Sequence, residues 1–213
     1  MHSTDIQSYV IKVCGITTPQ DAADAVAAGA TALGFNFYPK SPRYVSVDRA
    51  QEISRSLPAG ILKVGVFVNA STEELSTASA AVPLDVLQLH GELPDRFPNV
   101  RIWRAKPVDD NFKSTALSDS YEAYLLDAPS LDFGGSGQTF DWSLTATSNP
   151  LVRLIVAGGL DASNVGAAIS ALHPWGVDAC SRLESLPGRK DPLKVQAFVE
   201  AAHEAFERLS ARR

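Results

Sequence analysis

The sequence predicts a (β/α)8 barrel, with residues 1–213 read as a single domain. Two observations carry that expectation. Short apolar runs of strand character recur eight times along the chain, and alanine-rich stretches of helical period lie between several of them. Alternation of this kind argues for parallel strands joined by right-handed crossovers, and a single barrel domain commonly runs to about 200–250 residues. The first run, 9–14, ends in Cys14 and a glycine turn, and Thr17-Thr18-Pro19 then opens a helix over 19–28. Strand 31–37 precedes a proline-rich loop and a helix over 47–57, whose Asp48 complements the helix dipole. Strand 61–68 leads to helix 71–81, and three further strands follow at 84–89, 100–105 and 123–127. A long glycine-rich connection, 128–142, precedes strand 152–157, helix 163–172 and strand 176–180. The closing helix, 191–209, has Asp191 to cap it, Pro192 for its first turn and an apolar stripe through Leu193, Ala197, Phe198, Ala201, Ala205 and Leu209. An open doubly wound sheet of eight strands is the structural alternative. No Gly-x-Gly-x-x-Gly follows the first strand, which counts against a dinucleotide-binding version.

Composition narrows the function classes. Net charge is −5 with no basic run, so nucleic acid is not an expected partner. No apolar run reaches the roughly 18 residues of a membrane helix, and no membrane partner is expected. Met1-His2-Ser3-Thr4-Asp5 lacks the basic and apolar regions of a secretory signal. With two cysteines and no such signal, the expectation is a reduced cytoplasmic compartment and no disulfide scaffold. His2, His90, His173 and His203 never fall at metal-ligand spacing, so no metal is expected.

The chemistry-bearing residues gather at strand ends, where α/β proteins place their reactive groups. Side chains alternate along a strand, so Lys12 and Cys14 share one face of the first strand, as Asp178 and Cys180 share one face of the eighth. In a closed barrel those strands are neighbours, and Asp178 is the expected anion for Lys12. The other reading of Lys12 is a side chain snorkelling from a strand edge. Asp127 ends the apolar run Tyr124-Leu125-Leu126-Asp127, a place suited to a turn residue or to an acid acting with Cys14. Ala157-Gly158-Gly159-Leu160-Asp161 opens a strand into two glycines and a helix, which exposes backbone N–H groups to an anion. Ser181 and Arg182, after the eighth strand, would complete a phosphate site there. Arg43 lies on a proline-stiffened loop and its planar fork suits a carboxylate; Gln88 and His90 share a face at the end of the fourth strand.

Taken together these segments resemble the phosphoribosylanthranilate isomerase family of tryptophan biosynthesis, from about Val10 to about Phe206. The resemblance runs through Lys12-Val13-Cys14-Gly15-Ile16-Thr17, Leu33-Gly34-Phe35-Asn36-Phe37-Tyr38, Ser41-Pro42-Arg43-Tyr44 and Lys63-Val64-Gly65-Val66-Phe67-Val68-Asn69. It continues through Gln88-Leu89-His90-Gly91, Leu125-Leu126-Asp127, Gly134-Gly135-Ser136-Gly137-Gln138-Thr139-Phe140-Asp141-Trp142 and Pro187-Gly188-Arg189-Lys190-Asp191. It implies a (β/α)8 barrel and an Amadori rearrangement of N-(5-phosphoribosyl)anthranilate. Cys14 is implied as base, Asp127 as acid and Arg43 as partner of the anthranilate carboxylate. Gln88, His90, Gly135, Gly158, Gly159, Asp178, Ser181 and Arg182 are the further substrate-binding expectations. The reaction implies a small-molecule substrate and no cofactor, with a monomer or homodimer as the assembly. The chain departs from the family at Asp178-Ala179-Cys180-Ser181-Arg182-Leu183-Glu184, where Cys180 replaces a serine and Arg182 a glycine.

Two other readings stay open at this level. One is a histidine-pathway or dual-specificity barrel isomerase; that class uses an aspartate where this chain has Cys14 and shows two similar phosphate loops. The other is a non-catalytic barrel that binds a phosphometabolite, against which Cys14, Asp127 and Arg43 speak.

Overall fold

A computed structural model of the chain describes residues 9–97, 99–109, 112–128 and 151–211. Eight parallel strands form a barrel in chain order: β1 (Val10–Cys14), β2 (Ala32–Asn36), β3 (Leu62–Val68), β4 (Val86–His90), β5 (Arg101–Pro107), β6 (Ala123–Asp127), β7 (Leu154–Val156) and β8 (Gly176–Ala179). β8 pairs back onto β1, with Lys12 opposite Asp178, so the sheet is closed and the open alternative is excluded. Five helices are described: α1 (Pro19–Ala27), α2 (Val47–Arg55), α3 (Thr72–Ala81), α4 (Val165–Leu172) and α5 (Pro192–Ser210). Among the described residues no helix lies between β4 and β5, and only a 3-10 turn at Ser114–Ala116 lies between β5 and β6.

Most helix starts follow from local chemistry. Thr18 accepts a hydrogen bond from the Asp21 N–H ahead of α1, where Pro19 supplies a preset φ. Ser71 and Glu74 close a reciprocal capping box on α3, and Asp191 accepts from the Leu193 and Lys194 N–H groups at the start of α5. Period-2 alternation then sorts the strand residues. Ile11, Val13, Leu33, Phe35, Leu87 and Val177 face outward against Val195, Phe198 and the other buried helix residues. Val10, Ala32, Val64, Val86, Trp103, Ala123 and Ile155 fill the barrel interior.

The boundaries differ from the sequence reading in informative places. The fourth strand starts at Val86 rather than Leu84, because Asp85 turns its carboxylate onto the Lys63 N–H at 2.8 Å. Cys180 leaves the eighth strand: its backbone (φ −136°, ψ −86°) turns into a 3-10 segment at Ser181–Leu183. An antiparallel hairpin of β9 (Glu184–Leu186) and β10 (Arg189–Lys190) then follows, unanticipated although Pro187-Gly188 at its tip is turn chemistry.

Candidate active site

Strand parity puts Lys12 and Cys14 on the interior face of β1, and ring closure brings β8 beside them. Lys12 is completely buried and its Nζ donates to Asp178 Oδ1 at 2.8 Å, which rules out the snorkelling alternative. Burial alone would lower the pKa of this lysine; the charges of Asp178 and Cys14 reverse that and raise it. Hydrogen bonding with the Cys180 thiol, and the charge and donors of the neighbouring Lys12, hold the Cys14 thiol well below its usual pKa, against the opposing effect of burial. Nothing larger than hydrogen fits at Gly34 on β2, where a Cβ would stand 2.8 Å from Cys14 Sγ and 3.0 Å from Lys12 Nζ.

Across the barrel mouth, Asp127 ends β6. Burial above all, with the nearby Cys14 charge, pushes its carboxyl up to about 6 against the opposing effects of the Ala128 N–H and Lys12. Asp178 is pushed up to about 7, again by burial, despite its contact with Lys12. Three acids thus share the field of one buried ammonium, and the cysteine rather than either carboxyl group is the one driven toward its anion. Neighbouring titratable groups whose pKa values are displaced in opposite directions are the signature of an acid–base pair.

The glycine loop after β7 stands against this acid. Gly158 has φ +83°, and a Cβ there would lie 2.8 Å from the Ala128 nitrogen and 3.1 Å from Asp127 Oδ1, so only glycine allows the approach. A polar pocket opens here, lined by Asp127, Gly158, Gly159, Asp178, Cys180, Ser181 and Arg182. It lies between the loops after β7 and β8. Arg182 does reach it, yet its Nη1 donates to Asp161 Oδ2 at 2.7 Å, bridging the two loops. Glu184, the acid two residues further along the chain, is engaged elsewhere.

That engagement concerns Arg43. The loop after β2 is pinned by Asn36, whose Oδ1 accepts from the Tyr38 N–H, and by Ser41, whose hydroxyl accepts from the Arg43 N–H and from Asn36 Nδ2. The guanidinium then forms a fork with Glu184, Nε to Oε1 and Nη2 to Oε2 both at 2.9 Å. Two of its five N–H donors are used and three remain for a ligand. Lys190 Nζ, almost fully buried, binds the same Glu184 at 3.1 Å and the Cys180 carbonyl at 3.1 Å. Glu184 and Lys190 are therefore supporting residues to which the sequence reading gave no role at the site. Gln88 Nε2 donates to His90 Nε2 at 2.9 Å, and burial together with the charges of Lys12 and Arg104 pushes His90 down to about 3, so its imidazole is neutral. Gln88 Oε1 is buried with no hydrogen bond among the described residues. Gly135 and the motif around it lie outside the described residues. No group of three metal-ligating side chains is found among the described residues.

A low-pKa thiol and a raised-pKa carboxyl group at one barrel mouth, beside a polar pocket lined by Gly158 and Gly159, define a proton-transferring enzyme of the (β/α)8 class. Comparison with known proteins refines the class. The family model for N-(5'-phosphoribosyl)anthranilate isomerase matches residues 11–201, and the chain belongs to that family. An N-(5'-phosphoribosyl)anthranilate isomerase of Solibacter usitatus is 50% identical over 201 residues, covering 92% of this chain and 98% of its own length. One from Rubrobacter xylanophilus is 45% identical over 201 residues, covering 90% and 98%. Among solved structures, the phosphoribosyl anthranilate isomerase of Thermotoga maritima superposes with a TM-score of 0.80 at 36% identity, covering 92% of this chain and 99% of that one. Another such isomerase, in complex with reduced 1-(o-carboxyphenylamino)-1-deoxyribulose 5-phosphate, gives a TM-score of 0.77 at 33% identity with coverage of 92% and 99%.

Proposed function

We propose that Cys14 and Asp127 are the base and the acid of this chain's reaction. That reaction is the isomerisation of N-(5-phosphoribosyl)anthranilate to 1-(2-carboxyphenylamino)-1-deoxyribulose 5-phosphate in tryptophan biosynthesis. In its protonated form Asp127 gives a proton to the furanose ring oxygen, the ring opens to an iminium, and the Cys14 thiolate removes the proton from C2. The resulting enolamine becomes the ketone of the product. The observation that carries this assignment is the opposed displacement of the two groups, with Cys14 driven toward its anion and Asp127 up to about 6.

The substrate has two anionic ends, and the site has two cationic places. The phosphate would lie on the Gly158-Gly159 loop and Ser181, with Arg182 leaving Asp161 to meet it. The anthranilate carboxylate would take the remaining donors of Arg43, whose pose Glu184 fixes. Asp178, Gln88 and His90 would serve the sugar hydroxyls, with Gln88 Oε1 as an acceptor. Gly135 belongs to the same expectation. We further read residues 1–213 as one domain acting in the cytoplasm, as a monomer or homodimer. Consistent with a protein that does not cross a membrane by a helix, no described helix is long and apolar enough to do so. The experiment is direct: purified protein is given N-(5-phosphoribosyl)anthranilate and loss of substrate fluorescence is followed. Enzyme-dependent decay with formation of the ketose is expected; absence of decay above the spontaneous rate would overturn the assignment.

A further inference from the structure

The run Pro187-Gly188-Arg189-Lys190, which the proton transfers leave unused, is built against the loop that carries Arg43. Gly188 (φ +80°) passes so close to that loop that a Cβ would stand 2.8 Å from the Pro42 carbonyl oxygen, and its own carbonyl accepts from Thr17 Oγ1 at 2.6 Å. The Gly188 N–H donates to Glu184 Oε1 at 3.3 Å, an oxygen that also accepts from Arg43 Nε at 2.9 Å and from Lys190 Nζ at 3.1 Å. Glu184 Oε2 takes Arg43 Nη2 at 2.9 Å. The three charged side chains are only 12% (Arg43), 5% (Glu184) and 1% (Lys190) exposed, so water screens them little. Among the described residues Glu184 is the only carboxylate paired with either cation, and the Cys180 carbonyl that Lys190 also holds is neutral. Two buried cations therefore share one anion, and the cluster carries one positive charge in excess.

We propose that Lys190 is a positioning residue that sets specificity at the carboxylate end of the substrate: it offsets the charge of Glu184, so that Arg43 is oriented by that acid without being neutralised by it. The geometry of the fork is what makes the offset matter. Nε and Nη2 form one edge of the guanidinium plane, and Glu184 occupies it. The edge between Nη1 and Nη2 is left, two parallel donors of the kind a second carboxylate takes. An arginine held by a glutamate alone would be a neutral pair, and a carboxylate brought to its other edge would meet the repulsion of Glu184 along with the attraction of Arg43. Lys190, hydrogen-bonded to the same glutamate, cancels that repulsion. Against burial, which would raise it, Arg43 and Lys190 keep the Glu184 carboxyl below its usual pKa, so it stands as the anion this balance requires.

This inference rests on Arg43 as the partner of the anthranilate carboxylate, and the test separates the two. Lys190 also acts on Cys14, so affinity is read rather than turnover. Two unreactive ligands are titrated by calorimetry at low salt: reduced 1-(2-carboxyphenylamino)-1-deoxyribulose 5-phosphate and its phenylamino counterpart without the carboxylate. The ratio of their affinities measures carboxylate recognition, and the affinity of the second reports that each variant's site is folded. A unit charge at a separation on the order of 9 Å changes anion affinity by about tenfold at an effective dielectric of about 20–30. Lys190→Gln, which keeps an N–H donor, should therefore lower the ratio about tenfold, and Lys190→Arg should hold it within about twofold. Lys190→Met gives the same reading should the glutamine variant fail to fold. Removing the second charge as well, in Glu184→Gln with Lys190→Gln, should return the ratio to within about threefold of the parent's, a rescue that a merely structural lysine would not show. A ratio unmoved in Lys190→Gln but lost in Arg43→Met would overturn the proposal and leave Arg43 its role; a double variant no better than Lys190→Gln would overturn it too. A ratio unmoved in Arg43→Met would instead refute Arg43 as the carboxylate partner, and with it the part given to Lys190.

Discussion

The two ends of the barrel interior obey one alternation rule and hold opposite chemistry. Toward the N-terminal ends of the strands the inward side chains are Val10, Ala32, Val64, Val86, Ala123 and the fully buried Trp103, an apolar plug. Its few polar atoms are satisfied: Trp103 Nε1 donates to Glu122 at 2.9 Å, and Arg101 closes on the same carboxylate from outside. Toward the C-terminal ends the inward positions are Lys12, Cys14, Gln88, Asp127 and Asp178. Packing there is as complete around Lys12, which has no exposure at all, but the groups compensate one another electrostatically rather than by dispersion. A buried ion pair of this kind adds little net stability compared with apolar packing. The upper end is retained for what its charges do to Cys14 and Asp127, and the lower end supplies the rigidity that keeps them in register.

That division can be broken from either side. The largest effect is expected at the base: Cys14→Ala should lower kcat by roughly 10²–10⁴ with a smaller change in KM, while its melting temperature stays near the parent's. Turnover retained in that variant would remove Cys14 from the mechanism. Next is the acid. A general acid works protonated, so free-enzyme kcat/KM should fall as pH rises through about 6, the value to which burial lifts Asp127. Asp127→Asn should cost about 10²-fold or more in kcat and abolish that alkaline decline; a decline that persists would assign the proton to another group. The lower end should respond inversely. Trp103→Ala should destabilise the fold by about 3–5 kcal/mol in denaturant titrations, yet leave kcat within a few-fold where the protein is folded. A catalytic loss exceeding tenfold at that position would mean that the two ends are not separable. The smallest effect belongs to Arg182, a partly exposed residue paired with Asp161 at 2.7 Å. Exchange of one exposed ion pair for another is worth at most about 1 kcal/mol, so Arg182→Gly should raise KM about two- to fivefold, less at high salt, with kcat unchanged. KM within about twofold of the parent at low salt would leave Arg182 serving Asp161 alone.

Several of these features are legible in the sequence alone. Two facts were enough to pair Lys12 with Asp178, 166 residues apart: side chains alternate along a strand, and eight strands can close. The strand-end placement of Cys14 and Asp127, and the glycine pair after β7, followed from the same pattern. The prolines beside Arg43 predict that they hold it rigid, whereas Ser41, Asn36 and above all Glu184 do so. That contact spans 141 residues and depends on a two-strand hairpin too short to register as periodicity. Its signal was the Pro187-Gly188 turn beside an acid and a lysine. The place of the Cys180 sulfur against Gly15 is hidden for a related reason: Cys180 has already left the extended backbone, so parity no longer locates its sulfur.

The join between β1 and β8 has one more consequence, which belongs to folding. The reacting thiol and Lys12 sit on the first strand, while the Asp178 that anchors Lys12, together with Cys180 and Lys190, arrives with the eighth strand and the hairpin behind it. A chain with β1 to β7 assembled and the last strand undocked possesses most of its core but only the Lys12 share of what tunes its sulfur. Ring closure therefore completes the chemical competence of the site. The reactivity of Cys14 toward an alkylating agent is accordingly a clock for the final stitch of the barrel, readable in real time during refolding.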